Sequence, residues 1–265
     1  MNVHSFNWRD DMKGKVVIVT GGSSGMGKAM AQRFAEEGAK VVITGRDKEK
    51  LEKTSHELSV RQDNILAIQM DVRNVEDVKR TIDETIAKFG TIDYLINNAA
   101  GNFICPAEDL TPNGWKAVID IVLNGTFYCS SLVGKYWIEN GIKGSIINMV
   151  ATYAWDAGPY VIHSASAKAG VLTMTRTLAV EWGKKYGIRV NAIAPGPIER
   201  TGGADKLFQS EEAAQRTIES VPLGRLGTPE EIADLAVYLL SDRAFYINGD
   251  CITMDGGAHL NQFPF

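Results

Sequence analysis

Between Tyr153 and Gly170 the sequence reads YAWDAGPYVIHSASAKAG, and several of its side chains could handle protons or hold an anion. Ser164 and Lys168 stand four residues apart, so on a helix they share one face, one turn from each other. A lysine inside an otherwise Ala/Gly-rich helix start needs a polar partner, which makes Lys168 a candidate site residue. Tyr153 carries a phenol that could donate a hydrogen bond to a developing oxyanion, or it could pack as a loop aromatic on Trp155. Ser164 could also serve only as the N-cap of its helix. His163 has no evident acidic partner and reads as a loop or surface residue, not a hydrolytic base.

A second chemical stretch lies near the N-terminus. The apolar, β-branched run KVVIVT reads as a strand buried on both faces, and GGSSGMGKAMAQRFAEEGA follows it directly. Gly21, Gly25 and Gly27 have the spacing G-x-x-x-G-x-G between that strand and an amphipathic helix. Such glycines let the backbone approach a pyrophosphate, whose charge meets the N-terminal amides of the helix. A lone glycine match is weak, but the strand–glycine–helix order strengthens it. The next strand ends in Thr44-Gly45-Arg46, where an NAD site usually places an acidic residue for the ribose 2′-hydroxyl. A guanidinium there suits a 2′-phosphate, so NADP(H) is the expected cofactor.

These residues need a scaffold, and the rest of the chain supplies one. Helices are predicted at about 47–61, 74–89, 112–139, 164–185 and 229–240. Strands are predicted at 64–70, 144–150 and 188–194, with TIDYLIN and DCITMDGG as two more. Strands alternating with helices throughout imply α/β architecture: a single doubly wound, Rossmann-type domain over 1–265, with a parallel sheet and helices on both faces. Residues 200–221 are polar and mixed, as expected of a helical substrate lid.

Composition narrows the field. A net charge of −4 over 265 residues argues against non-specific nucleic-acid binding. The three cysteines are scattered, so neither a disulfide framework nor a metal site is expected. The segment MNVHSFNWRDDMKGK lacks the apolar core of a secretion signal, no long apolar run suggests a membrane span, and QFPF matches no common retention signal. The expectation is a soluble cytoplasmic protein.

TGGSSGMG, Asp71-Val72, NNAAG, Asn124, Lys168, PGPI and the closing DGG occur in order, and together they resemble the short-chain dehydrogenase/reductase family over nearly the whole chain. The resemblance implies a nicotinamide cofactor on Gly21, Ser23, Ser24, Gly25, Met26 and Arg46. Asp71 and Val72 would hold the adenine, Asn98, Ala99 and Ala100 the adenosine side of the cleft, and Lys168 the ribose. Pro195, Gly196 and Ile198 would meet the nicotinamide. It also implies a homotetramer assembled through the long helices.

The usual proton-handling set is incomplete. The family's tyrosine belongs four residues before the lysine, where this chain has Ser164, and its helper serine belongs where this chain has Ala151. The NADPH-dependent 2,4-dienoyl-CoA reductases share this departure and carry a different tyrosine that matches Tyr153. NNAAGNF, SASAKAG, WKAVIDIVLNGT and EWG are similar to that branch as well. The resemblance implies an acyl-CoA thioester substrate whose conjugated diene takes hydride at C5. Tyr153 and Asn102 would stabilise the resulting oxyanion, Ser164 and Lys168 would support them, and water would supply the proton, giving a 3-enoyl-CoA. Without that match, Asn102 could be a simple turn residue. Arg73, Phe103 and Thr111 would meet the CoA, with Lys206 of the lid standing where the branch has arginine; that exchange keeps the charge but loses the planar fork.

Overall fold

The computed structural model describes residues 12–59, 64–201 and 211–261. Its centre is a seven-stranded, all-parallel sheet. The strands are β1 (Val16–Thr20), β2 (Lys40–Gly45), β3 (Ile65–Gln69), β4 (Tyr94–Asn97), β5 (Ser145–Met149), β6 (Arg189–Pro195) and β7 (Cys251–Met254), in the order β3-β2-β1-β4-β5-β6-β7. β1 and β5 are buried at every position, which explains their largely apolar runs, with Asn148 of β5 the buried amide among them. The order reverses between β1 and β4, opening a crevice beyond Thr20 and Asn97 where such sheets bind ligands.

Helices cover both faces. α1 (Gly25–Glu36) packs with the helix Pro229–Leu240 on one side, where Met30, Phe34, Ile43, Ile232 and Leu239 share a core. α3 (Val75–Phe89), α5 (Gly125–Asn140) and α6 (Ile162–Tyr186) contribute to the other side, where Ile18, Val42, Val133, Trp137 and Ile188 pack together. Each such side chain contributes about 1.5–3 kcal/mol by leaving water. Trp137 stays fully buried because its Nε1–H donates to the Ile92 carbonyl at 2.7 Å. α2 is Lys48–Ser59, and helix Glu211–Ser220, here α7, precedes Pro229–Leu240, here α8. α8 starts on a full capping box: Thr228 accepts from Glu231 N–H, and the Glu231 carboxylate accepts from Thr228 N–H.

Three differences from expectation stand out. The predicted unbroken helix over 112–139 is α4 (Pro112–Ile119), a π turn (Asp120–Asn124) and α5. Its span 112–140 is long and apolar enough by composition to cross a membrane, contrary to the expected absence of such a run. Val118, Val122, Cys129, Val133 and Trp137 of that span are buried in the core. Of the proposed lid over 200–221, the described part contains α7, whereas Lys206 lies outside the described residues. The third difference is in α6, which begins two residues before Ser164, with Val161 in the N-cap position. Ser164 is therefore an interior first-turn residue, not a cap.

Candidate active site

The loop between β1 and α1 forms the floor of the crevice. Gly21 and Gly25 adopt left-handed backbone angles, with φ of 64° and 50°. A Cβ on Gly27 would stand 2.2 Å from the Gly21 carbonyl oxygen, so only glycine permits this close turn. Ser24 occupies the N-cap of α1 without spending its hydroxyl on the helix. Thr20 ties the loop to β4: its hydroxyl accepts from Asn98 and Ala99 N–H and donates to the Ile96 carbonyl. Asn98 braces the same loop by donating from Nδ2 to the carbonyls of Thr20 and Gly21. A bare backbone cradle at a helix N-terminus fits a dinucleotide pyrophosphate.

Arg46 is exposed beyond β2, in a cleft it lines with Gln69, Asp71, Asp77 and Arg80. Arg80 is committed to Asp77, Glu84 and the Gln69 carbonyl, whereas Arg46 makes no ion pair among the described residues. Asp71 and Arg73, expected to serve adenine and CoA, grip each other: Arg73 donates from its backbone N–H and from Nε to Oδ1, both at 3.0 Å. This pairing holds the Asp71 carboxyl below its usual pKa and raises that of Arg73. Val72 is buried against Gly125, where a Cβ would meet its side chain at 2.7 Å.

Sequence reasoning missed Thr201, which lies over the phosphate loop, its side chain 3.6 Å from where a Gly25 Cβ would stand. Pro195 ends β6, Gly196 packs against Asp255, and Ile198 is buried beside Gly227. Asp255 accepts from Gly257 N–H, His259 N–H and the His259 ring, and His259 stands edge-on to Trp155. Trp155 therefore packs on the C-terminal turn, while Tyr153 turns to Ser164.

The second half of the crevice carries Tyr153, Ser164 and Lys168. The Tyr153 hydroxyl and Ser164 Oγ are 3.1 Å apart. Burial pushes the Tyr153 phenol above its ordinary pKa, opposed by the bond to Ser164, so the group stays a protonated donor. Lys168 is buried in the next turn, and its Nζ donates to the Met149 carbonyl at 2.5 Å. Burial lowers its pKa to about 8. Asn102 accepts from Phe103 N–H through Oδ1 at 2.9 Å, which makes Nδ2 the donor end of its amide.

Phe103 stacks on His163 with ring centroids 4.4 Å apart, which corrects the expectation that His163 is a loop or surface residue. It is in α6 and fully buried, because the 102–105 loop folds over the helix start. Thr111 caps α4 by accepting from Gly114 N–H, and Gly114 lies against the Phe103 ring. Asn124 donates to Asp120 within the π turn, consistent with a role in the fold. Beneath the site, Asn97 donates to Ser130 and Asn148, and Asn148 to Thr175, joining β4, β5, α5 and α6 through buried hydrogen bonds.

The family model described as enoyl-(acyl carrier protein) reductase matches residues 21–259. The chain belongs to the short-chain dehydrogenase/reductase family. It is therefore an oxidoreductase that uses a nicotinamide dinucleotide. A member of this family from Bacillus subtilis, named "Probable 2,4-dienoyl-CoA reductase [(2E)-enoyl-CoA-producing]", is 66% identical over 254 residues, covering 96% of this chain and 100% of that protein. A Caenorhabditis elegans protein named "Probable 2,4-dienoyl-CoA reductase 3 [(3E)-enoyl-CoA-producing]" is 44% identical, covering 95% of this chain and 82% of its own length. A solved structure of a short chain dehydrogenase from Bacillus anthracis is 71% identical, with a TM-score of 0.89 and coverage of 96% of this chain and 100% of that one.

Proposed function

We propose that the protein reduces the conjugated diene of a 2,4-dienoyl-CoA thioester to a 3-enoyl-CoA, using NADPH, in the degradation of unsaturated fatty acids. The hydrogen bond between Tyr153 and Ser164 carries this reading. A carbonyl reductase needs a phenol that gives its proton up readily, but here burial raises the Tyr153 pKa. A phenol that keeps its proton is instead suited to donate a hydrogen bond to a thioester enolate oxygen.

The nicotinamide, when bound, supplies a hydride to C5 of the diene. Tyr153 and Asn102 then offer donors to the thioester oxygen as it becomes negative, with Ser164 bracing the phenol from behind. Lys168, held by the Met149 carbonyl, keeps a positive charge or a strong donor near that developing charge. Because the electrons delocalise to oxygen, no acid is needed at the carbon that takes hydride. The names of the relatives differ on the double-bond position of the product, and our reading places the remaining bond at C3.

The test is loss of dienoyl absorbance with matched NADPH oxidation, run beside a panel of 3-oxoacyl thioesters, sugars and steroids. Turnover of ketones with the dienoyl chromophore intact would overturn the reading. NADPH preference rests on Arg46 as the cation at the end of β2. Arg46→Ala is expected to weaken NADPH by about tenfold or more with little change for NADH, measured by fluorescence titration. Equal weakening of both would remove Arg46 from the phosphate. Phe127 on α5 and Val180 on α6 are exposed apolar side chains on the long helices through which we propose four copies associate.

A further inference from the structure

Asp255 and His259 form a bonded pair in the C-terminal turn, and the reaction as described makes no use of it. The Asp255 carboxylate is buried and accepts the Gly257 N–H at 2.9 Å, the His259 N–H at 2.8 Å and the ring Nδ1–H at 2.6 Å. Burial would raise its pKa, but the bonds from His259 and Gly257 outweigh that and hold it below the usual carboxylate value. An ionised carboxylate keeps the proton on Nδ1 and so fixes the orientation of the ring. The turn itself is anchored on two further segments. Gly196 N–H donates to the Met254 carbonyl at 2.9 Å and Leu223 N–H to the Gly256 carbonyl at 3.2 Å, while Asn261 Nδ2 donates to the Ser220 carbonyl at 3.1 Å. His259 is therefore a ring mounted on a fixed wall.

That ring meets the Trp155 indole, with centroids 6.2 Å apart and planes at 88°, an edge-to-face pair. Trp155 closes the short 3₁₀ turn Thr152–Ala154, which carries Tyr153. Ala154 N–H donates to the Ala151 carbonyl at 2.9 Å, and Trp155 N–H to the Thr152 carbonyl at 3.2 Å. Tyr153 is thus held at both ends. Ser164 on α6 holds its hydroxyl at 3.1 Å, and the turn that ends on Trp155 holds its backbone. We infer that His259 is a positioning residue for Tyr153: the Asp255–His259 pair holds Trp155, and Trp155 holds the turn that presents the phenol. This rests on the reading of Tyr153 as the oxyanion donor. A donor displaced by about 1 Å loses much of its effect on a transition state, so such a support bears on turnover.

The experiment compares the wild type with His259→Asn, Trp155→Leu and the double variant. Asparagine places an amide N–H where Nδ1–H stood, so Asp255 keeps its partner while Trp155 loses the ring. Hydrogen exchange on the cofactor-free protein reads the support directly. His259→Asn is expected to speed exchange of the Ala154 and Trp155 amides by about two- to tenfold, the factor that one aromatic pair is worth. The Gly257 amide and the melting temperature are expected to stay unchanged. Turnover of a 2,4-dienoyl-CoA is expected to fall by a similar factor, with KM and NADPH affinity unmoved. Trp155→Leu is expected to lower turnover in the same way, and His259→Asn to add nothing in its background. Unchanged exchange or wild-type turnover in His259→Asn would overturn the proposal, as would losses that add in the double variant. Faster exchange throughout the chain with a lowered melting temperature would also overturn it, as the mark of a general structural role. A wild type that leaves the dienoyl thioester untouched would sink the functional reading alone, because the exchange measurement decides the support of Tyr153 without any substrate.

Discussion

Tyr153→Phe is expected to lower turnover on a dienoyl-CoA by about 10²–10³ while leaving NADPH affinity nearly unchanged. The substitution removes one hydroxyl and leaves a ring that fills the same space. What is lost is a donor aimed at an oxygen that becomes negative only as the reaction proceeds, so the cost falls on kcat more than on KM. Ser164 would lose its 3.1 Å partner in the mutant. The pH profile offers an independent check. Burial holds the phenol above its ordinary pKa of 10.0, so Tyr153 keeps its proton throughout the neutral range and contributes no activity loss there. Equal turnover in the phenylalanine variant, or an ionisation near neutrality that vanishes with it, would show that Tyr153 is not an oxyanion donor of this kind.

Lys168→Met is expected to move activity and stability in opposite directions. Turnover falls on the order of 10², because the group that we propose supports the phenol and the cofactor ribose is gone. The cofactor-free protein, by contrast, becomes more stable at pH 7 by about 1–3 kcal/mol, since a buried charge is replaced by an apolar chain of similar length. The unpaired Met149 carbonyl gives part of that gain back. The sign follows from the pKa of about 8 in the folded protein, below that of a lysine in the unfolded chain. Below pH 8 the desolvation penalty is present in full. Between pH 8 and about 10.4 the unfolded chain binds more protons, so wild-type stability gains from this group as pH rises. The stability gap between mutant and wild type should therefore narrow across that window in calorimetry. A mutant of equal or lower stability at pH 7 would mean that Lys168 is not held charged at a cost.

Residues whose roles depend on local spacing were readable from the chain. The glycines of the β1–α1 turn announce themselves because glycine takes φ of 64° and 50° without strain and tolerates a carbonyl where Gly27 would carry a Cβ. The parallel sheet follows from apolar β-branched runs alternating with amphipathic helices. Lys168 is legible because a charged side chain amid Ala and Gly in a helix start needs a reason. The pairing of Tyr153 with Ser164 was also within reach, because matching positions to a family branch substitutes for knowing the loop.

Only the tertiary structure decided which side chains the loops bring together. His163 looks like a surface residue in a one-dimensional reading, and it is buried because the 102–105 loop lays Phe103 across it. Asp71 and Arg73 each suit a ligand by type, yet they lie close enough to hold each other first. The π turn at Asp120–Asn124 has no signal in hydrophobic period, since it shifts the register by one residue inside a continuous helical stretch. Sequence alone determined the scaffold, the dinucleotide cradle and the residue types of the site, because these rest on backbone periodicity and on conformations that one residue type permits. Folding decided which groups are buried, paired or left with an unmet hydrogen bond, because those properties arise from contacts between segments far apart in the chain.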